Sequence, residues 1–176
     1  GLIEQLTSVV EEDGRLYLRN ENTCNFVRSF NYELLVTLYV DQLSEIKIES
    51  IAEVNTKGVL DIKNQLTIYN FAISESKLEL SGESALIETG NSATMILSGK
   101  LNNLRANIEE LSELLAEELE CKEAILDTHS PLDCTLNATN GIYAKIYSSG
   151  NILYVEEPAD YKLVGDQVGT GQLRKK

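Results

Sequence analysis

The sequence predicts an all-β chain: a single-domain parallel β-helix, or solenoid, with about 20 residues per coil and N-terminal strands covering one end. Three observations carry that prediction. Apolar residues recur in i,i+2 pairs punctuated by Gly or polar residues, each too short for a helix and each built like a strand with one buried face. Further along, the pairs Leu104-x-Ala106, Leu114-x-Ala116, Ala124-x-Leu126, Cys134-x-Leu136 and Ala144-x-Ile146 each start ten residues after the last, and Tyr154 continues the count. The one stretch that looks helical, Leu101 to Asp127, fails as a helix on its charges and on its apolar stripe.

The totals bound the class. At 176 residues and 43% hydrophobic, the chain can bury a core and one domain is the natural expectation. Fifteen basic against 28 acidic residues leave a net charge of −13, which argues against nucleic acid as a partner. Arg174-Lys175-Lys176 is the one basic cluster and reads as a solubilising end. No apolar run approaches the roughly 20 residues that cross a bilayer, so no transmembrane segment is expected. Cys24, Cys121 and Cys134 lack metal spacing. Buried free thiols are the preferred reading, with a Cys121–Cys134 bridge as the alternative.

Taken in order, residues 1–40 form N-terminal strands and a cap, and 41–176 form coils and a tail. Leu6 to Val10 and Leu16 to Leu18 flank Asp13-Gly14, a hairpin signal because Gly supplies the positive φ of the turn. Glu33 to Val40 alternates, with Leu34, Val36, Leu38 and Val40 on one face and Leu35, Thr37 and Tyr39 on the other, and predicts a strand. Then come Ile46-x-Ile48, Leu60-x-Ile62, Leu66-x-Ile68, Leu78-x-Leu80, Ala85-x-Ile87 and Met95-x-Leu97.

Leu101, Leu104, Ile108, Leu111 and Leu115 would line one helical face. Against that helix, Glu109, Glu113 and Glu117 are like charges at i,i+4. Glu117, Glu118, Glu120 and Glu123 crowd a C-terminal half where the macrodipole prefers cations. Glu118 and Lys122 take the next stripe positions. The ten-residue period also runs unbroken from this stretch into Thr/Asn/Gly-rich sequence, so both sides share one architecture. The expectation is strand and corner throughout, with Leu104, Ala106, Leu114, Ala116, Ala124 and Leu126 inward.

The chain resembles the head GIN domain family of bacterial auto-transporter adhesins. The resemblance rests on Asn20-Glu-Asn-Thr-Cys24-Asn-Phe-Val-Arg28-Ser, on Leu34 to Val40 followed by Leu43-x-x-Ile46-x-Ile48, and on Leu97-Ser-Gly99 with Leu104-x-Ala106. It also rests on Gly150-Asn-Ile-x-Tyr154, Pro158 and Gly169-Thr-Gly171 in the tail. It implies a secreted β-solenoid, extracytoplasmic in the periplasm, at the outer-membrane surface or beyond, with no catalytic residues to carry over. Structural roles are expected for Cys24, Arg28, Gly150, Asn151, Gly169 and Gly171, with Arg28 as a tether to an acidic residue at the solenoid mouth. Two departures bear on turn geometry: Val155-Glu156-Glu157 stands where the family's tail has a Gly, and Glu109-Glu110 and Glu117-Glu118 replace Gly-richer turns.

Asp127, His129, Ser130 and Asp133 are the residue types of a hydrolase triad, but triads are defined by spatial roles and a polar corner explains all four. No catalytic residue, metal ligand or cofactor is assigned, since the acidic runs carry no D-x-D-x-D-G loop. With Ile142, Ala144 and Ile146 inward, Tyr143, Lys145 and Tyr147 share the outer face. Tyrosines flanking a lysine form a platform for a sugar ring or a protein surface; exposed strand residues with β propensity are the plain alternative. Asn137-Ala-Thr139 fits a glycosylation sequon, but its strand-and-turn setting explains these residues equally well.

The expected function is a non-enzymatic surface or envelope binding module, an adhesin by resemblance, whose partner is an envelope protein or a glycan. Self-association through solenoid ends or faces is a further expected partnership. The alternatives are a carbohydrate-active β-helix enzyme, which needs acidic and basic groups clustered on one outer face, and a structural spacer.

Overall fold

The computed structural model of the chain describes residues 6–10, 14–20, 35–164 and 168–176. They fall into two compact units, residues 1–39 and 40–176.

In the first unit β1 (Leu6–Val10) and β2 (Leu16–Asn20) form the expected antiparallel hairpin, with Leu6 opposite Asn20 and Val10 opposite Leu16. Gly14, in the connection, has a φ of 81°, which glycine adopts without Cβ strain. The strand expected over Leu34 to Val40 is not there: Glu33 and Leu34 lie outside the described residues, and residues 35–40 form no strand. Leu35 is 73% exposed and Tyr39 94%. Alternation supplies two faces, but a strand also needs a neighbour and a surface to bury one of them against.

The second unit contains β3 (Glu45–Ile48), β4 (Val54–Asn55), β5 (Leu60–Asn70), β6 (Glu75–Thr89), β7 (Thr94–Ile108), β8 (Glu113–Thr128), β9 (Cys134–Ile146), β10 (Ile152–Tyr154), β11 (Asp160–Leu163) and β12 (Leu173–Lys175). Every pairing among them is parallel. They coil as a β-solenoid of about 7 turns with roughly 19 residues per turn, and no helix occurs among the described residues. Leu101 to Asp127 is divided between β7 and β8 by a turn.

The coil explains the ten-residue period. Each turn holds two inward-facing segments, so an apolar pair returns every half turn and stacks on its like every full turn. Leu104 lies beside Ala124, and Ala106 beside Leu126, two periods on. All six residues expected to point inward along 104–126 are 2% exposed or less. Columns of equivalent residues run down the interior, among them Leu66, Ala85, Leu104, Ala124 and Ile142.

Within the long strands the inward parity shifts where the chain turns a corner. In β7, Met95, Leu97 and Leu101 are buried, then Leu104, Ala106 and Ile108. Gly99, with a φ of 104°, sits just before this corner, and a Cβ there would stand 2.1 Å from the Leu80 carbonyl oxygen. Only glycine permits that approach. In the turn between β7 and β8, Glu110 itself adopts a φ of 55°, a left-handed conformation, and its carboxylate accepts the Asn91 backbone N–H of the preceding coil.

The glutamates of β8 are spread by the register. Glu113 accepts the Thr94 hydroxyl at 3.1 Å, Glu120 pairs with Lys100 at 2.8 Å, Glu117 pairs with Lys176, and Glu118 lies beside Ser98. Helix-type i,i+4 repulsion is therefore replaced by lateral contacts with neutral or cationic neighbours. Cys121 and Cys134 are both buried and free.

Candidate functional site

One outer face of the solenoid brings Tyr143 and Lys145 together with Arg105, Asn107 and Asp127. Register places Ile125 beside Tyr143 and Asp127 beside Lys145, while on the other flank of β8 Arg105 lies beside Ile125 and Asn107 beside Asp127. One coil further, Leu86 and Glu88 lie beside Arg105 and Asn107. Each outer residue alternates with a buried one, Ala124, Leu126, Ile142 or Ala144, so packing of the inner face fixes the outer side chains on a rigid sheet.

Past the strand ends the same order continues. The Tyr147 N–H donates to the Thr128 carbonyl at 2.9 Å and the His129 N–H to the Ile108 carbonyl at 2.8 Å. This puts the His129 ring flat on Tyr147, with centroids 4.2 Å apart and planes 9° from parallel. His129 Nε2 stands 3.9 Å from Glu109 Oε1. Beside this stack a hollow of about 370 Å³ is lined by Glu88, Arg105, Asn107, Glu109, Asp127 and His129.

The platform thus differs in detail from three exposed side chains. Tyr143, Lys145 and Tyr147 are each half-buried. One face of the Tyr147 ring is covered by His129, and the Tyr143 ring folds back towards Gly141, where a Cβ would stand 3.2 Å from its Cε2. What the face offers a ligand is a short aromatic ridge beside planar hydrogen-bonding groups of both charges.

The triad-like residues do not converge. Ser130 is fully buried and its hydroxyl accepts the Leu132 N–H at 3.1 Å, while His129 lies on the surface. Asp133 instead accepts the Asn151 backbone N–H at 2.7 Å and its side-chain amide at 2.9 Å. Among the described residues no group of three or more His, Cys, Asp or Glu side chains is placed to hold a metal ion.

Cys24 and Arg28 lie outside the described residues. Gly150, Gly169 and Gly171 occur where backbones nearly touch: a Cβ would come within 2.0 Å of the Leu132 carbonyl oxygen, 2.1 Å of that of Ser148 and 1.9 Å of that of Gly150, respectively. Asn151 joins three coils, bonding Asp133 on one side and accepting the Gln172 N–H at 3.1 Å on the other.

A family model matches residues 1–158 of the chain under the description "Putative auto-transporter adhesin, head GIN domain". The chain belongs to the head GIN domain family. The Gly169 to Gly171 motif of this head GIN domain falls beyond the matched span. No curated protein matches the chain, and no solved structure does. No helix among the described residues is long and apolar enough to cross a membrane.

Sequence reasoning found the Tyr143, Lys145 and Tyr147 row from alternation alone, but missed Arg105, Asn107, Glu109 and Glu88 as its neighbours. Counting two coils back along the chain from Tyr143 and Lys145 reaches Arg105 and Asn107, and a third coil reaches Glu88.

Proposed function

We propose that this head GIN domain is a non-enzymatic binding module acting outside the cytoplasm, at the cell surface or in the envelope, and that it takes a glycan on the Tyr143–Tyr147 face. One observation carries the reading: the register that sets Tyr143, Lys145 and Tyr147 against Ile125, Asp127 and His129 on a rigid sheet. Aromatic rings take the apolar face of a sugar, and planar carboxylate, amide and guanidinium groups take its hydroxyls. The family description agrees with an adhesive role. Ser130 turned into the core, away from His129, speaks against a serine hydrolase using this corner. The hollow that gathers Glu109 and Asp127 with Arg105 favours the carbohydrate-active alternative as the second reading, tested by incubation with a panel of acidic polysaccharides.

The test is a glycan array probed with the full chain and with Tyr143→Ala/Tyr147→Ala. Retention of a glycan class by the first and its loss in the second is the expected result. Unchanged retention in the double variant would remove this face from the function. Absence of retention by either protein would favour an envelope-protein partner or a spacer.

A further inference from the structure

Resting on the glycan-binding reading above, we propose that the ligand is a linear, uncharged oligosaccharide of about four sugars that lies parallel to the solenoid axis, from Phe71 at one end to Tyr147 at the other. The path is drawn by one ladder of hydrogen bonds just past the strand ends. The Gly90 N–H donates to the Asn70 carbonyl, the Glu109 N–H to that of Thr89, the His129 N–H to that of Ile108 and the Tyr147 N–H to that of Thr128, at 2.8 to 3.0 Å. Phe71, Gly90, Glu109, His129 and Tyr147 therefore come one from each of five successive coils. Four strand spacings separate the ends of this column, about 19 Å.

The column is aromatic at both ends and polar between them. At one end the His129 ring lies flat on Tyr147. At the other, the Phe71 ring lies over Gly90, where a Cβ would stand 2.7 Å from Phe71 Cδ1. Gly90 does not have a positive φ, so its backbone conformation does not require glycine. What the absent Cβ provides is room for the ring, which remains 42% exposed at Phe71. The hollow of about 370 Å³ spans the three middle coils: Glu88 belongs to the first, Arg105, Asn107 and Glu109 to the second, and Asp127 and His129 to the third.

These groups select the chemistry of the ligand. Two ring platforms with a hydrogen-bonding floor between them match a chain of pyranoses, which repeats apolar ring faces and hydroxyls along one line. A pyranose and its linkage advance by about one strand spacing, so roughly four sugars cover the column. Arg105 and Lys145 stand among Glu88, Glu109 and Asp127, which leaves the face close to charge balance, while the whole chain carries −13. A polyanion is repelled at long range by that net charge and meets no basic patch on arrival. Hydroxyls both donate and accept, so an uncharged sugar satisfies carboxylate, amide and guanidinium alike. A single terminal sugar occupies one platform; only a ligand that reaches both ends uses Phe71.

The experiment is calorimetric titration of the full chain with cello-oligosaccharides and N-acetylated chito-oligosaccharides of two to six sugars, both linear and uncharged. Affinity for one series rises with length up to about four or five sugars and then levels off. Phe71→Ala lowers affinity for the tetrasaccharide by about fivefold or more, the scale of one aromatic platform, and leaves the disaccharide unchanged. Tyr143→Ala/Tyr147→Ala weakens both. Gly90→Ala, which displaces the Phe71 ring without removing it, gives the same loss as Phe71→Ala and adds nothing when the two are combined. A disaccharide bound as tightly as a hexasaccharide, a tetrasaccharide indifferent to Phe71→Ala, a Gly90→Ala effect that persists without the Phe71 ring, or binding of neither series would each overturn the proposal. If a glycan retained on the array still depends on Tyr143 and Tyr147, these failures remove only the axial, uncharged chain and leave the binding face standing; if it does not, the face falls with it.

Discussion

The imidazole of His129 lies against the phenol ring of Tyr147, centroids 4.2 Å apart and planes within 9° of parallel. The two belong to successive coils and meet only because Tyr147 hydrogen-bonds to the residue before His129. A ring held in that position shields the protons of the one it covers. In Tyr147→Ala the His129 ring-proton resonances should therefore move downfield, while the circular dichroism of the sheet is retained. Stability should fall by no more than about 1.5 kcal/mol, the scale of one aromatic pair. Unmoved resonances would show that the rings do not stack in solution.

Leu114 is fully buried beside Met95 in the next coil. Coils touch only their neighbours, so the wall around that site has little freedom to collapse. Leu114→Ala should cost about 2–5 kcal/mol in urea unfolding. A loss well under 1 kcal/mol would place Leu114 outside the core.

Thr89 is fully buried, and its hydroxyl oxygen has no hydrogen-bond partner among the described residues. Its column mixes polar and apolar residues: Asn70, Thr89, Ile108, Thr128, Ile146. Thr128 uses its hydroxyl to accept the Ser130 N–H at 3.2 Å, and Asn70 accepts from Ser74 at 2.8 Å. Thr89 has nothing equivalent. Thr89→Val keeps the shape and removes the orphaned group, so it should stabilise the chain by about 1 kcal/mol or more. Loss of stability would mean that the hydroxyl has a partner.

Burial pushes the Cys121 thiol up to about 12, with Glu120 adding to the effect, and the Cys134 thiol up to about 11. The unfolded chain ionises both near 9.0, so above that pH it releases protons that the folded chain keeps. Stability attributable to these thiols is complete below pH 9.0 and declines as pH rises through the folded values of about 11 and 12. The slope approaches about 1.4 kcal/mol per pH unit for each thiol. Urea midpoints between pH 8 and 10.5 should fall more steeply in the wild type than in Cys121→Ala. Equal slopes would remove this thiol as the cause.

The interior of the solenoid was legible because burial acts on every coil at the same position, which makes the pattern periodic. Leu114 and Ala116, in a stretch with strong helical propensity, were assigned inward from their place in that period, and tertiary context overrode propensity as it commonly does. The residues around 35–40 misled for the opposite reason. Their alternation is clean but local, and no period ties it to a neighbour. The outer face was half legible. Alternation singles out Tyr143, Lys145 and Tyr147, whereas Arg105, Asn107 and His129 become their companions only once the coil length is known to a residue. Corners alter that length, as the register shifts between Leu115 and Glu120 and between Cys121 and Glu123 show. The turn at Glu109-Glu110 was marked as a place of altered turn geometry, but nothing in a glutamate announces a φ of 55°.

The nineteen-residue step between β7 and β8, which carries Thr94 onto Glu113, also makes the molecule a ruler. Excising Thr94 to Ser112 would join Ala93 to Glu113, two residues whose backbones are already consecutive in projection down the axis, with the Ala93 carbonyl accepting the Glu113 N–H at 3.0 Å. This excision would shift whatever lies beyond it by one strand spacing, about 4.8 Å. Reach in this architecture is therefore counted in whole coils.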